Sequence, residues 1–357
     1  MLRRIALTIV LGALLAGCTD GRRSDTGPAA PSVEQPAGGE QSLADVVAAT
    51  QERISVYDGI ATGVIALVRM GEETEVVVAG RARRRSRIDM TPEMRFPIAS
   101  ITKPMTASLV MQLVEEGRIA LDDPVKQWVP ELGSLPPITI EQLLSHRSGL
   151  ADVTEADIAA EGLSTPRLVA RSAARGLEFA PGTRGSYSNV GYGVLGLVLE
   201  RIHDRSFSAL LESRIFDPAG MGSSSLFGRF DVHGYVDGKD AAGHYLLRLL
   251  PPAGSVVSTV HDVDEFFQAL WSDRLVDSGH MADMATSRGG VVQFDEYGLG
   301  VAVRMVSCGK ALGHSGRLSG FSIDAYTLVD SDRSTVVVVN DHVSDIIGSI
   351  VETALCG

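Results

Sequence analysis

In the stretch Phe96-Pro97-Ile98-Ala99-Ser100-Ile101-Thr102-Lys103-Pro104, a serine precedes a lysine by three positions. On a helix such positions share a face, so the lysine amine can reach the serine hydroxyl. A lysine withdrawn from water loses its proton more readily and can then act as a base toward a neighbouring nucleophile. Two later stretches carry groups that such a pair could use. Tyr187-Ser188-Asn189 offers a phenol able to pass a proton to a leaving group and an amide able to hold a substrate amide. His314-Ser315-Gly316 offers a hydroxyl for a carboxylate, beside a glycine that lets a substrate backbone lie along a strand edge. Each stretch also has a plain structural reading: a serine cap with an exposed lysine, an asparagine cap with a packed tyrosine, and a turn between strands.

Other chemistries find less support. No G-x-S-x-G elbow is present, which removes the main sign of an α/β-hydrolase. There is no H-E-x-x-H, no paired-cysteine pattern and no glycine-rich phosphate loop after a strand, so neither a metal nor a nucleotide cofactor is implied. A net charge of −12 argues against non-specific nucleic-acid binding.

The elements that must position these groups can be read from periodicity. Pro104 is tolerated only within the first turn of a helix, so a helix is expected to begin at about Ser100, with Ser100 near its N-cap and Gly117 closing it. Helices are also predicted over residues 42–57, 189–203, 207–215, 258–271 and 346–355, and a further start at Thr139. Strands are predicted over 63–69 and 75–80 as a hairpin, then over 299–305, 311–314, 321–328 and 335–340. The basic run 81–87 reads as a solvated loop or edge strand. Strands at both ends with helices between them predict an α+β fold. Its antiparallel sheet is built from the N- and C-terminal segments and flanked by helices, with a mainly helical inserted domain. The corresponding boundaries are 42–99 with 285–357 for the sheet domain and 100–284 for the helical one.

The N-terminal segment predicts export. Arg3 and Arg4 precede a short apolar run, residues 5–16, which ends in Leu15-Ala16-Gly17-Cys18. Residues 1–17 read as a signal peptide, and Cys18 as a lipidation site resembling a bacterial lipobox; an ordinary signal peptide or an uncleaved anchor is the alternative. Residues 18–41, rich in proline and glycine, read as a disordered tether with a reach of roughly 25–30 Å. The expected location is the extracytoplasmic face of a membrane in the cell envelope. Cys308 and Cys356 remain, and an exported chain can pair them; two buried free thiols are the alternative.

Ser100-x-x-Lys103, Tyr187-x-Asn189 and His314-x-Gly316, in this order and at these wide spacings, resemble the three elements of the serine β-lactamase and penicillin-binding superfamily. Within it the pattern is similar to class C β-lactamases and their D,D-peptidase and esterase relatives. The flanking words Leu143-Leu144-Ser145-His146-Arg147-Ser148-Gly149-Leu150 and Ile215-Phe216-Asp217-Pro218-Ala219-Gly220-Met221 are of the same type. Tyr297-Gly298-Leu299-Gly300, Ser307-Cys308-Gly309 and Cys356-Gly357, with histidine opening the third element, resemble secreted D-alanyl-D-alanine carboxypeptidases.

The resemblance implies acyl transfer. Ser100 attacks, Lys103 takes its proton, and Tyr187 carries a proton toward the leaving amine. Backbone N–H groups of Ser100 and Arg317 form the oxyanion hole. Asn189 binds the substrate amide and Ser315 the terminal carboxylate. The implied partners are peptidoglycan-type D-alanyl peptides or β-lactams, and the membrane through the lipid anchor. A β-lactamase or carboxylesterase of the same fold is the alternative activity, and a non-catalytic penicillin-sensing lipoprotein the alternative of another class. Where the commoner pattern has lysine, His314 titrates near neutrality, so a positive charge toward a substrate carboxylate is expected to be conditional on pH. Arg304 is a further cationic candidate, two strand positions out of register.

Overall fold

Ser42 opens the first helix. Its hydroxyl accepts from the Asp45 N–H, and the Asp45 carboxylate accepts from the Ser42 N–H at 3.1 Å, a reciprocal cap that starts α1 (Leu43–Ser55). A computed structural model describes residues 41–57, 61–85, 87–153, 164–241, 250–341 and 344–357. The expected signal peptide, Cys18 and the tether up to residue 40 lie outside the described residues.

The hairpin follows as β1 (Gly63–Met70) and β2 (Glu73–Arg83), whose last residues pair with β3 (Ile88–Asp89). The basic run thus begins inside a strand near the sheet edge. The helical stretch also carries short strands: β4 (Phe96–Pro97) and β5 (Ser225–Leu226) flank β8 (Val256–Ser258), and β6 (Tyr235–Val236) pairs with β7 (Lys239–Asp240). The C-terminal strands are β9 (Glu296–Tyr297), β10 (Ala302–Val306), β11 (Gly309–Leu318), β12 (Phe321–Leu328) and β13 (Arg333–Val339). They join the hairpin in one antiparallel sheet of order β3-β2-β1-β13-β12-β11-β10-β9. The sheet is therefore closed in sequence by its two ends, through β1 against β13.

Both faces of this sheet are covered, which explains the near-continuous apolar runs of β1 and β13. Ile65, Leu67, Ile323 and Val338 face the large core shared with the helical stretch. Val64, Ala66, Val337 and Val339 face the opposite core, packed under Ile347, Ile350 and Val351 of the last helix, Ser344–Cys356, and Ile54 of α1. The helical stretch contributes α2 (Thr102–Glu115), α3 (Ile140–Leu144), α4 (Thr165–Ala174), α5 (Asn189–His203), α6 (Phe207–Leu211), α7 (Pro251–Gly254), α8 (Val260–Trp271) and α9 (Ser278–Ala285); the last helix is α10. No helix among the described residues is long and apolar enough to cross a membrane.

Candidate active site

Ser100 is not a helix cap, contrary to the expectation from Pro104. The chain leaves β4, where the Ile98 N–H donates to Val256 O, and turns through Ala99 at φ +49° into a single 3-10 turn, Ala99–Ile101. Only at Thr102 does the α-helix proper begin. Pro104 still falls where its missing N–H costs nothing, because the 3-10 turn takes up the first positions. A left-handed alanine is strained, and such strain persists only where packing enforces it. The enforcing neighbour here is β11: a Cβ added at Gly316 would lie 2.4 Å from Ile98 O. Gly316 thus lets the sheet strand run directly against the serine turn.

Lys103 is fully buried one turn further on. Its Nζ lies 3.0 Å from Ser100 Oγ, 2.8 Å from Asn189 Oδ1 and 2.8 Å from the Ala253 carbonyl oxygen. Burial lowers its pKa to about 7, against a smaller raising effect of the Asp152 carboxylate. A neutral amine has two hydrogens and one lone pair. The two carbonyl oxygens can only accept, so they take both hydrogens, and the lone pair is left for the Ser100 hydroxyl. In that state the geometry is that of a base poised on its nucleophile.

Tyr187 and Asn189 arrive at the start of α5. Ser188, not Asn189, is the cap: its Oγ accepts from the Gly191 N–H. Asn189 is thereby released to use its amide elsewhere, its Oδ1 toward Lys103 and its Nδ2 toward Asp152 Oδ2 at 2.9 Å. Tyr187 packs beneath Lys103, whose Nζ stands 4.7 Å from the ring centroid, and its hydroxyl is hydrogen-bonded to Ser100. Burial pushes the phenol well above its ordinary pKa, so it remains a proton donor across the physiological range.

His314, Ser315 and Gly316 lie inside β11, not in a turn, since the strand continues to Leu318. The expectation that His314 titrates near neutrality is corrected. Its ring is buried, with Nε2 at 2.9 Å from the Tyr297 hydroxyl and Nδ1 at 2.7 Å from the Ser315 carbonyl oxygen. Burial, then the Lys103 charge, lowers its pKa to about 3, so the ring is neutral at any physiological pH. Ser315 points to the other face of the strand, its Oγ 3.0 Å from the Tyr326 hydroxyl.

The cationic groups near Ser315 are arginines. Arg317 Nη1 donates to Asp324 Oδ1 at 2.7 Å and Arg304 Nη1 to Asp324 Oδ2 at 3.1 Å. Arg304 of β10 is paired with Ala311 of β11 and so is not opposite Ser315, but its long side chain reaches the Asp324 carboxylate, which is. Two guanidinium groups around one buried carboxylate leave a net positive charge beside Ser315.

Ser100, Tyr187, Asn189, Ser315 and Arg317 line one cleft of about 510 Å³ together with Asp152. An adjoining cleft of about 350 Å³ shares Ser315 and Arg317 and extends over Arg304 and Tyr326. Sequence reading missed Asp152, which accepts from both Asn189 Nδ2 and the Val190 N–H. It stands 37 positions before Asn189 with no spacing to link them, and only its place just after the Leu143–Leu150 word could have drawn notice. It also missed Phe294, whose ring packs 5.1 Å from that of His314 and 6.2 Å from that of Tyr187. Cys308 in the β10–β11 turn is joined to Cys356 at the end of the last helix, with Cα atoms 5.4 Å apart.

The Beta-lactamase family model matches residues 44–345. The chain is 28% identical over 295 residues to a D-aminopeptidase of Brucella anthropi, covering 78% of this chain and 56% of that protein. It spans about half to two thirds of the length of the curated relatives it matches. Its fold is similar to that of the D-amino acid amidase from Ochrobactrum anthropi SV3 in complex with L-phenylalanine amide. The TM-score is 0.80 at 24% identity, covering 88% of this chain and 98% of that one. It is also similar to a penicillin binding protein from Bacillus halodurans, with a TM-score of 0.74 at 26% identity, covering 84% of this chain and 98% of that one.

Proposed function

The chain belongs to the Beta-lactamase family, and from that premise we propose that it is an exported serine hydrolase which acylates Ser100 and acts on D-alanyl peptides of the cell wall, as a D-alanyl-D-alanine carboxypeptidase. The observation that carries the reading is the placement of Lys103 Nζ between two obligate acceptors and the Ser100 hydroxyl.

In the proposed cycle Ser100 attacks the carbonyl of the penultimate D-alanine and its proton passes to the Lys103 amine. The oxyanion forms against the backbone N–H groups of Ser100 and Arg317, fixed donors that need no reorganisation during the reaction. The leaving nitrogen takes the Tyr187 proton, and the phenolate takes one back from the Lys103 ammonium. Acylation therefore ends with an ester on Ser100, a free amine, a neutral lysine and a protonated tyrosine. Water then releases the acyl group. Asn189 holds the substrate amide through its second Nδ2 hydrogen. Ser315 and the Arg304–Asp324–Arg317 cluster receive the terminal carboxylate, a task for which the neutral His314 has no charge to offer. Export and anchoring through Cys18 belong to the same proposal. They are supported by residues 1–41, and loss of the protein from the membrane fraction on Cys18→Ala is their test.

Incubation with a fluorescent penicillin should give a covalent adduct that Ser100→Ala lacks, and an acetylated D-Ala-D-Ala peptide should release D-alanine. Absence of both overturns the carboxypeptidase reading. An adduct without turnover of any peptide or ester points to a penicillin-sensing protein, and fast nitrocefin or p-nitrophenyl ester turnover to a β-lactamase or esterase. Asp152 favours one second reading. A carboxylate in the cleft wall suits a substrate with a free α-ammonium, as in a D-amino acid amide. Faster cleavage of D-alaninamide than of the acetylated dipeptide, abolished in Asp152→Asn, would establish it.

A further inference from the structure

His146 takes no part in the cycle above, yet it is buried beside the tyrosine that does. It makes contacts to consecutive residues of that stretch. Its carbonyl oxygen accepts from the Ser186 N–H at 2.8 Å, and its Nδ1 accepts from the Ser188 N–H at 3.2 Å. Between them, its ring lies 4.2 Å from the Tyr187 ring, centroid to centroid, at an interplanar angle of 34°. The backbone on either side of Tyr187 and the phenol itself are therefore held by one side chain and its peptide unit.

Two costs are accepted to keep it there. The residue sits at φ +58°, a left-handed conformation that is uncommon outside glycine, although histidine tolerates it better than most side chains. Because Nδ1 accepts, the ring proton is on Nε2, and that buried Nε2 has no partner among the described residues. A phenylalanine would fill the space between Tyr187, Tyr192 and Tyr297 with no unpaired ring nitrogen, but it would leave the Ser188 N–H without its acceptor. What imidazole adds is the acceptor for Ser188, the cap residue of α5. Burial, and after it the Lys103 charge, disfavour protonation of the ring, so the acceptor is kept.

We infer that His146 is the positioning residue for Tyr187, setting the direction in which the phenol delivers its proton to the leaving group. The inference rests on the reading of Tyr187 as proton carrier, and it can fail separately from that reading. The test uses one acyl group in two forms, an anilide, whose leaving nitrogen must be protonated, and a p-nitrophenyl ester, whose leaving oxygen need not be. General acid catalysis contributes on the order of 10²–10⁴-fold. Tyr187→Phe should therefore lower the anilide rate at least about a hundredfold more than the ester rate.

His146→Phe, which keeps a ring but removes the acceptor, should lower the anilide-to-ester ratio by about tenfold or more. His146→Asn restores an acceptor at the Nδ1 position and tolerates the left-handed conformation, so its ratio should stay near the parent's. Should His146→Phe fail to fold, His146→Gln, which displaces the acceptor by one bond, is expected to show the lowered ratio. Equal loss of both rates, or no loss, in the folded variant while Tyr187→Phe shows the selective loss overturns the role of His146. No selective loss in Tyr187→Phe itself overturns the proton-carrier reading and the inference with it.

Discussion

At the scale of the residue, histidine in the third element changes how a carboxylate can be met. A lysine there would bring a permanent charge; His314, locked between the Tyr297 hydroxyl and its own neighbour's carbonyl, brings none. Its folded pKa of about 3 lies below that of an unfolded histidine. Between pH 5 and 8 the folded ring is uncharged throughout, so it cannot modulate ligand affinity there. The affinity of Ser100→Ala protein for a D-alanyl peptide, measured over that range, should follow the same profile with and without His314→Gln. A step near pH 6.5 present only with His314 would contradict this. The residue-level chemistry was open to sequence reasoning in its identities but not in its charge states. Ser100, Lys103, Tyr187, Asn189 and Ser315 could be named from their types and order. That His314 is neutral and Arg304 reaches Asp324 depends on burial and on side-chain reach across three strands, which no local pattern carries.

At the scale of the element, the strained 3-10 turn and the glycine of β11 act together. The serine turn is pressed between the sheet and α2, and the space between them is set by the missing Cβ of Gly316. Gly316→Ala would force its methyl toward the Ile98 carbonyl oxygen, a backbone atom that cannot rotate away. The expected cost is about 1–3 kcal/mol of stability from overpacking. A displacement of Ser100 by a fraction of an ångström should lower acylation by tenfold or more, since misplacement of about 1 Å can cost roughly a hundredfold. Denaturant unfolding and stopped-flow acylation check both parts; a variant with parental rate and midpoint would show that the strand does not hold the turn. Sequence periodicity located α5 at its observed bounds and located α2, but misjudged the start of α2. Pro104 restricts a helix to its first turn without saying whether that turn is α or 3-10. Ser188 and Asn189 are both good caps, and only the backbone shows that the serine takes the role. The strand carrying His314 was read too short because glycines at 313 and 316 look like punctuation. Their real use is close approach, of β12 to Gly313 and of the serine turn to Gly316.

At the scale of the whole molecule, the two ends of the chain are bound into one sheet and then tied again by Cys308–Cys356. This arrangement could be anticipated because strand-like runs cluster at both ends and helical periodicity fills the middle. The bridge closes a loop of separation 48 and fixes the last helix to the β10–β11 turn, on the sheet face opposite the serine turn. Replacing both cysteines by serine should lower unfolding stability by about 2–4 kcal/mol, the usual effect of releasing such a loop in the unfolded chain. The pH dependence of acylation should not move, because Lys103 lies in the other core. An unchanged denaturation midpoint would show that packing of the last helix suffices without the bridge.

The proposed cycle requires Lys103 to act as a neutral base on Ser100. Burial lowers its pKa from an ordinary lysine's value to about 7. Below that pH the amine is protonated and cannot accept the serine proton; above it the base form dominates. Single-turnover acylation by a β-lactam, followed from pH 5 to 9, should rise tenfold per unit on the acid side and level off above an inflection near 7. Lys103→Arg should abolish the rise and leave only residual acylation. A rate in the parent protein that is flat across this range, or that keeps climbing to pH 9 with no inflection, would contradict the account.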